Sequence, residues 1–236
     1  MTGTLLNVAT ILVGGALGLF LGNRLPERVK ATVMAGLGLF TLAYGISMFL
    51  QSHNSLVVLG AVLVGAVLGE WWQIEAGLER LGHWLEARVS RADAADVDNR
   101  FVRGFFTASL VFCVGPMAIL GSIEDGLTGN YRTLAVKSVL DGFGALAFAS
   151  TLGVGVLFSA AMILLYQGGL TLLAGQAQAL LTADMQLEMT AAGGIILLAI
   201  AIGSLLSIRP IRSGNFLPAL LLAPLLTLLF QAMGIY

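Results

Sequence analysis

Long apolar runs constrain this chain more than any other feature. They lie at about 4–21, 31–50, 56–69, 103–122, 133–151, 154–173, 189–208 and 215–233. A helix needs roughly 17–25 apolar residues to cross the hydrocarbon core of a bilayer, and most of these runs have that length. The third is short, but Trp71 and Trp72 extend it to an interface where tryptophan is favoured. Composition points the same way. The chain is 58% hydrophobic and 11% charged, whereas a soluble domain carries about a quarter charged residues and needs them to cover its surface. The expectation is all-α: a polytopic transmembrane helix bundle, one integral membrane domain over 1–236, of about eight helices. The fifth and sixth runs are parted only by Leu152-Gly153, as a tight hairpin or one long broken helix, so the count is seven to nine.

The same composition excludes several function classes. A net charge of −1 gives no footprint for nucleic acid. The lone Cys113 forms no intramolecular disulfide and no cysteine metal cluster. His53 and His83 are the only histidines and cannot build a multi-histidine centre. There is no P-loop and no G-x-S-x-G elbow. We therefore expect no enzyme, no metal and no cofactor. The opening MTGTLLNVAT lacks a basic n-region and a cleavage site, so the first run reads as a retained helix.

Basic residues set the expected orientation. Arg24, Arg28 and Lys30 follow the first run. Arg80, Arg88, Arg91, Arg100 and Arg103 follow the third, and Arg209 and Arg212 follow the seventh. With eight alternating helices all of these fall on one face, which the positive-inside rule makes cytoplasmic. Both termini then face outward, to the periplasm. Residues at about 70–100 form a cytoplasmic amphipathic helix and linker. Ile74, Leu78, Leu81, Leu85 and Val89 recur at helical spacing, with Glu75, Glu79 and Glu86 among Arg80 and Arg88. With Trp71, Trp72 and Trp84 this helix suits the membrane surface or the protein's own cytoplasmic face; 92–99 reads as an exposed linker. The stretch 11–22 resembles 62–72, and 38–50 resembles 104–120, which suggests an internal repeat.

Chemistry concentrates between Gly104 and Gly155. Lys137 and Asp141 sit four apart inside one apolar run, hence on one helix face where they neutralise each other. A charge at that depth costs on the order of 2.5–3.5 kcal/mol on insertion scales, so such residues are functional candidates by default. Asp141 would bind a cation, a proton or a substrate amine. Lys137 would be its countercharge or hold an anionic substrate. The alternatives are a neutralised pair that locks two helices, or a Lys137 that snorkels to water. Ser138 lies on a similar small, polar face. Gly115-Pro116 breaks the preceding run, where freed carbonyls can line a cavity or simply kink the helix. Glu124 and Asp125 close that run, as a cation-attracting mouth or a solvated loop. Tyr166-Gln167 interrupt the sixth run, Gln167 as interhelical glue or a substrate contact. Asn7 in the first run and Asn215 at the start of the eighth carry similar weight, and Asn215 can cap its helix.

GPMAILGSIEDGLTGN (115–130), LAVKSVLDGFGALAFASTLGVGVLFSA (134–160) and YQGGL (166–170) resemble the bacterial YqgA/YdfK family, as do the opening GTLLNVATILVGGALGLFLGNRLPE and the closing SGNFLPALLLAPLL. The resemblance covers nearly the whole chain. It implies a bacterial inner-membrane protein of a family described in terms of membrane transport, with no substrate to carry over. It places Asn7, Gly115, Pro116, Asp125, Gly126, Lys137, Ser138, Asp141, Gln167 and Asn215 in the matching motifs. AIAIGSLLSI in the seventh run departs from the family, with Ser204 where a more polar residue is expected. The leading expectation is a transporter or channel for a small polar solute or ion, its site between the fourth and fifth runs. The rival is a membrane scaffold or sensor that docks a partner through the amphipathic helix. Gly-rich helices also favour a homo-oligomer.

Overall fold

The computed structural model describes residues 1–22, 24–89, 99–234 and 236. The linker expected at 92–99, Asn99 apart, and Arg91 lie outside the described residues. So do the side chains of Leu81, Leu85, Glu86, Arg88 and Val89. Among the described residues there are helices and no strand. In chain order they are α1 (Thr2–Gly22), α2 (Glu27–Phe49), α3 (Ser55–Trp72), α4 (Ile74–Val89), α5 (Asn99–Cys113), α6 (Pro116–Thr128), α7 (Arg132–Leu152), α8 (Gly155–Leu172), α9 (Ala174–Leu180), α10 (Ala183–Ile200) and α11 (Ala219–Ala232). A π turn, Ala201–Leu205, extends α10, and a 3-10 turn, Ser213–Phe216, precedes α11. Among the described residues seven helices are long and apolar enough to cross a membrane. The pair α5–α6 makes an eighth span if counted together.

That pair is the broken helix expected at Gly115-Pro116. α5 ends at Cys113, the axis bends by 61°, and α6 starts at Pro116. A proline at the first helical position forfeits no hydrogen bond, because that N–H has no intrahelical partner anyway. The junction at Leu152-Gly153 is a turn rather than a continuous helix, with Gly153 at φ +84°. Tyr166-Gln167, by contrast, leave α8 uninterrupted.

The helices group into two compact units. The first takes Met1–Leu37, Leu78–Cys113 and Met117–Gly175. Its main seam joins α1 to α7. Gly14, Gly18 and Gly22 face the carbonyls of Gly142, Leu146 and Ser150, and a Cβ on any of the three would collide with that backbone. Both series rise together by four, so α1 and α7 run parallel and touch backbone to backbone, as small residues four apart permit. On the other side of α1, Thr4 meets Thr171 and Gly15 meets Leu157, so α8 runs antiparallel to it. α5 packs on α8 through Phe101, Val102 and Phe105 against Phe158 and Met162.

The second unit takes Gly38–Gly77, Val114–Pro116 and Gln176–Tyr236. Here α2 lies antiparallel to α10, with Gly38 at Leu206 and Gly45 at Gly194. α3 lies antiparallel to α11, with Gly65 at Ala219 and Gly69 at Asn215. Gly65 and Gly69 occupy the places of Gly14 and Gly18 in the similar stretches 62–72 and 11–22. Both pairs serve close helix contact, but on partners of opposite direction.

Candidate functional site

The first unit buries a polar group among three apolar helices. α1 contributes Asn7 and Thr4, α7 contributes Lys137 and Asp141, and α8 contributes Gln167 and Thr171; all six are buried. Asp141 Oδ2 accepts from Lys137 Nζ, one turn earlier on the same face, and from Asn7 Nδ2 at 2.9 Å. Asn7 Nδ2 also donates to Gln167 Oε1 at 3.1 Å. Gln167 Nε2 then donates to Thr4 Oγ1 at 3.3 Å, and Thr4 and Thr171 share a further hydroxyl contact at 3.3 Å. The chain of bonds therefore runs from α7 through α1 to α8. Asn7 Oδ1 is buried and accepts nothing among the described residues. On α5 the buried hydroxyls of Thr107 and Ser109 are likewise unpaired. Buried polar atoms without partners are uncommon, and in a membrane span they are costlier still.

The remaining candidates are placed less uniformly. Ser138 is buried beside Lys137, but its hydroxyl returns to the Leu134 carbonyl at 2.7 Å. Asp125 is buried on α6, not solvated. It accepts from the Gly3 N–H at 3.1 Å and lies 2.9 Å from the Met1 amino nitrogen, so it fixes the start of α1. Glu124 closes the α6–α7 turn, accepting from Asn130 Nδ2 at 2.6 Å and Thr133 Oγ1 at 2.8 Å. Gly115, Pro116 and Asn215 belong to the second unit.

Asn215 does cap a helix, but not α11. Its Oδ1 accepts from the Glu75 N–H at 2.9 Å in the first turn of α4, and its Nδ2 donates to Glu70 Oε2 at 2.6 Å. The reason is the 3-10 turn that holds it one turn short of α11, whose first free N–H groups it cannot reach. Glu75 returns the contact, accepting from the Gly214 N–H at 2.9 Å, and Arg212 pairs with Glu70.

The second unit also holds a carboxylate that is not among the residues expected to form a site. Glu188 on α10 is fully buried. It accepts from Ser52 Oγ at 2.6 Å, from the His53 and Asn54 N–H groups at 2.9 Å each, and from the Tyr236 hydroxyl at 3.0 Å. It thereby ties the α2–α3 turn and Tyr236 to α10. Burial, and then the hydrogen bond to Glu188, pushes the Tyr236 hydroxyl above the usual tyrosine range. The available signal was a single acid immediately before an apolar run, in QLEMT (186–190).

One groove of about 370 Å³ lies along the α1–α7 seam. Val13, Leu17, Val139 and Phe143 wall it and are exposed, as residues facing lipid tails would be. None of Asn7, Lys137, Asp141 and Gln167 lines it. No group of three or more His, Cys, Asp or Glu able to hold a metal occurs among the described residues.

An uncharacterized protein of Escherichia coli (strain K12), YqgA, is 31% identical over 221 residues, covering 94% of each chain. An uncharacterized membrane protein of Bacillus subtilis (strain 168), YdfK, is 28% identical over 239 residues, covering 100% of this chain and 99% of the other. No solved structure matches. The family described as "Protein of unknown function (DUF554)" matches residues 2–228. With its long apolar helices and a membrane-protein relative along its whole length, the chain is a multi-pass membrane protein and belongs to the DUF554 family.

Proposed function

We propose that the protein moves a small polar solute or ion across the bacterial inner membrane, using the buried group on α1, α7 and α8. The observation that carries this reading is the Asp141 carboxylate. It is buried midway along a membrane-length helix and is reached from α7 by Lys137 and from α1 by Asn7. A charge pair held at that depth is expensive and marks ion or substrate pathways. The unpaired oxygens of Asn7, Thr107 and Ser109 give a permeating polar species further places to bond. The partners of Lys137 and Asp141 differ from those expected of a site between the fourth and fifth runs, since α1 and, through Asn7, α8 supply them. Both termini face the periplasm in this proposal, because the loop arginines then lie inside.

Asp141→Asn tests it in reconstituted vesicles loaded with a panel of ions, amino acids and organic acids. Flux of one solute class by the parent, lost in a variant that keeps its melting temperature within a few degrees, is the expected result. A variant that merely unfolds, with no solute moved by the parent, would make the pair a helix lock. The scaffold reading would then lead, with the amphipathic helix α4 as the element that docks a partner.

A further inference from the structure

The hydrogen-bond directions around Asn7 restrict the chemistry of what the buried group can still bind. Asn7 Nδ2 donates to two oxygens, Asp141 Oδ2 and Gln167 Oε1. Gln167 is itself oriented by its Nε2 donating to Thr4 Oγ1. Turning the Asn7 amide over would set its oxygen against two other oxygens, so the orientation is determined by its partners. Oδ1 is then an obligatory free acceptor on a residue with 0% exposure. What it lacks is a hydrogen-bond donor.

The carboxylate beside it already holds an ammonium group, the Nζ of Lys137. That side chain is a tethered copy of the kind of ligand the carboxylate accepts. A free primary ammonium offers three N–H donors, enough to reach both the Asp141 carboxylate and Asn7 Oδ1. A divalent metal ion would want several carboxylates, and no such set occurs among the described residues.

Charge decides what must leave. With Lys137 protonated the pair is neutral. A second cation would leave a net positive charge inside a membrane helix, at a cost on the order of 2.5–3.5 kcal/mol. Loss of one proton from Lys137 restores neutrality. The other ionisable groups on the elements packed around α7 are few. α1 carries none, α8 carries Tyr166, α5 carries Arg100, Arg103 and Cys113, and α6 carries Glu124 and Asp125, both already bonded. Of these Cys113 lies within electrostatic range of Lys137 and Asp141.

We propose that the Asn7–Asp141 site takes a small primary ammonium ion in exchange for the Lys137 proton. The incoming R–NH3+ replaces Lys137 as the donor to Asp141 and bonds Asn7 Oδ1, while Lys137 becomes a neutral amine and one proton leaves. Charge and atoms balance, one cation in for one proton out. This rests on the transport reading and names its substrate class and coupling.

The test is methylammonium binding to the full-length protein in detergent, by calorimetry, from pH 6 to 8. Release of one proton makes the affinity rise about tenfold per pH unit. Potassium and tetramethylammonium, which have no N–H donors, should not compete. Lys137→Arg keeps the ion pair but cannot give up its proton, and should weaken binding by about a hundredfold or more at pH 8. Asn7→Leu, which lacks Oδ1, should weaken it about tenfold. An affinity that does not change with pH overturns the exchange, as does competition by tetramethylammonium or a Lys137→Arg protein that binds as the parent does. If that variant fails to fold, the pH slope of the parent and the Asn7→Leu result decide. Flux of another solute that stops in Asp141→Asn, with no methylammonium bound, sinks this proposal and leaves the transport reading standing. Methylammonium bound without any flux does the reverse.

Discussion

Glu188 illustrates how much one buried carboxylate can organise. Each of its oxygens is occupied, Oε2 by Ser52 and Oε1 by His53, Asn54 and Tyr236. Hydrogen bonds to a charged acceptor contribute about 1.5–3 kcal/mol each, and a buried donor left unpaired costs a similar amount. Glu188→Gln removes the charge and turns an N–H group toward other N–H donors, so thermal melts in detergent should show a clear drop in melting temperature. The Tyr236 partner makes a second expectation, this one in pH. Its hydroxyl is held above the ordinary tyrosine value of 10.0, which means the fold stabilises the neutral form. That contribution is complete below pH 10 and fades as pH rises through the higher, folded value. The melting-temperature gap between the parent and Tyr236→Phe should therefore be constant from pH 7 to 9 and close above 10. A gap that widens with alkali would show that the fold favours the deprotonated phenolate instead, and a gap that stays constant would show that Tyr236 does not depend on its proton. At this scale the sequence was legible where chemistry is local. Lys137 and Asp141 are four apart, so their pairing follows from helix geometry alone. Asn7 and Gln167 were visible as polar residues in apolar runs, but their bond spans 160 positions and depends on how α1 meets α8. Glu188 went unread because its apolar run begins one residue later and its partners come from another loop.

Helix pairing rests on glycine rows more than on large side chains. On α1, Gly14, Gly18 and Gly22 bring the helix against the α7 backbone, where dispersion contacts can act over the whole seam. A methyl group at Gly18 has no space to enter, since the Leu146 carbonyl occupies it. Overpacking of this sort costs about 1–3 kcal/mol, and here it also pries Asn7 from Asp141. Gly18→Ala should lower the melting temperature and reduce any transport. Gly36→Ala on α2 is the control, because nothing lies within 4 Å of that position. It should be neutral, or slightly stabilising through the better helix propensity of alanine. Equal effects of the two would deny the seam its role. The apolar runs themselves were plain in the sequence, because membrane helices must be apolar all round. So was the break before Pro116. Which glycine row meets which helix was not, since a row announces a close contact without naming the partner.

Across the whole chain, helix direction inside each unit constrains the number of crossings. In the first unit α1 and α7 run parallel, while α1 and α8 run antiparallel. In the second, α2 opposes α10 and α3 opposes α11. A path that alternates through eight spans yields all four relations, provided α5 and α6 together cross once. If the bent pair instead entered and left on the same face, every later helix would reverse, and α7 would oppose α1. Basic residues reach the same parity by a different route. Arg209 and Arg212 join the face of Arg24, Arg28 and Lys30 only when the crossings between them are even in number. Single cysteines placed in a Cys113→Ser background can decide the point. Gln51 and Tyr131 are both exposed, the first just after α2 and the second just before α7, with α3 and the bent pair between them. In intact cells a membrane-impermeant maleimide should label both Gln51→Cys and Tyr131→Cys. Labelling of only one of the two before permeabilisation would make α5–α6 a re-entrant loop, and the parallel α1–α7 seam that positions Asn7 on Asp141 could not then form across the membrane.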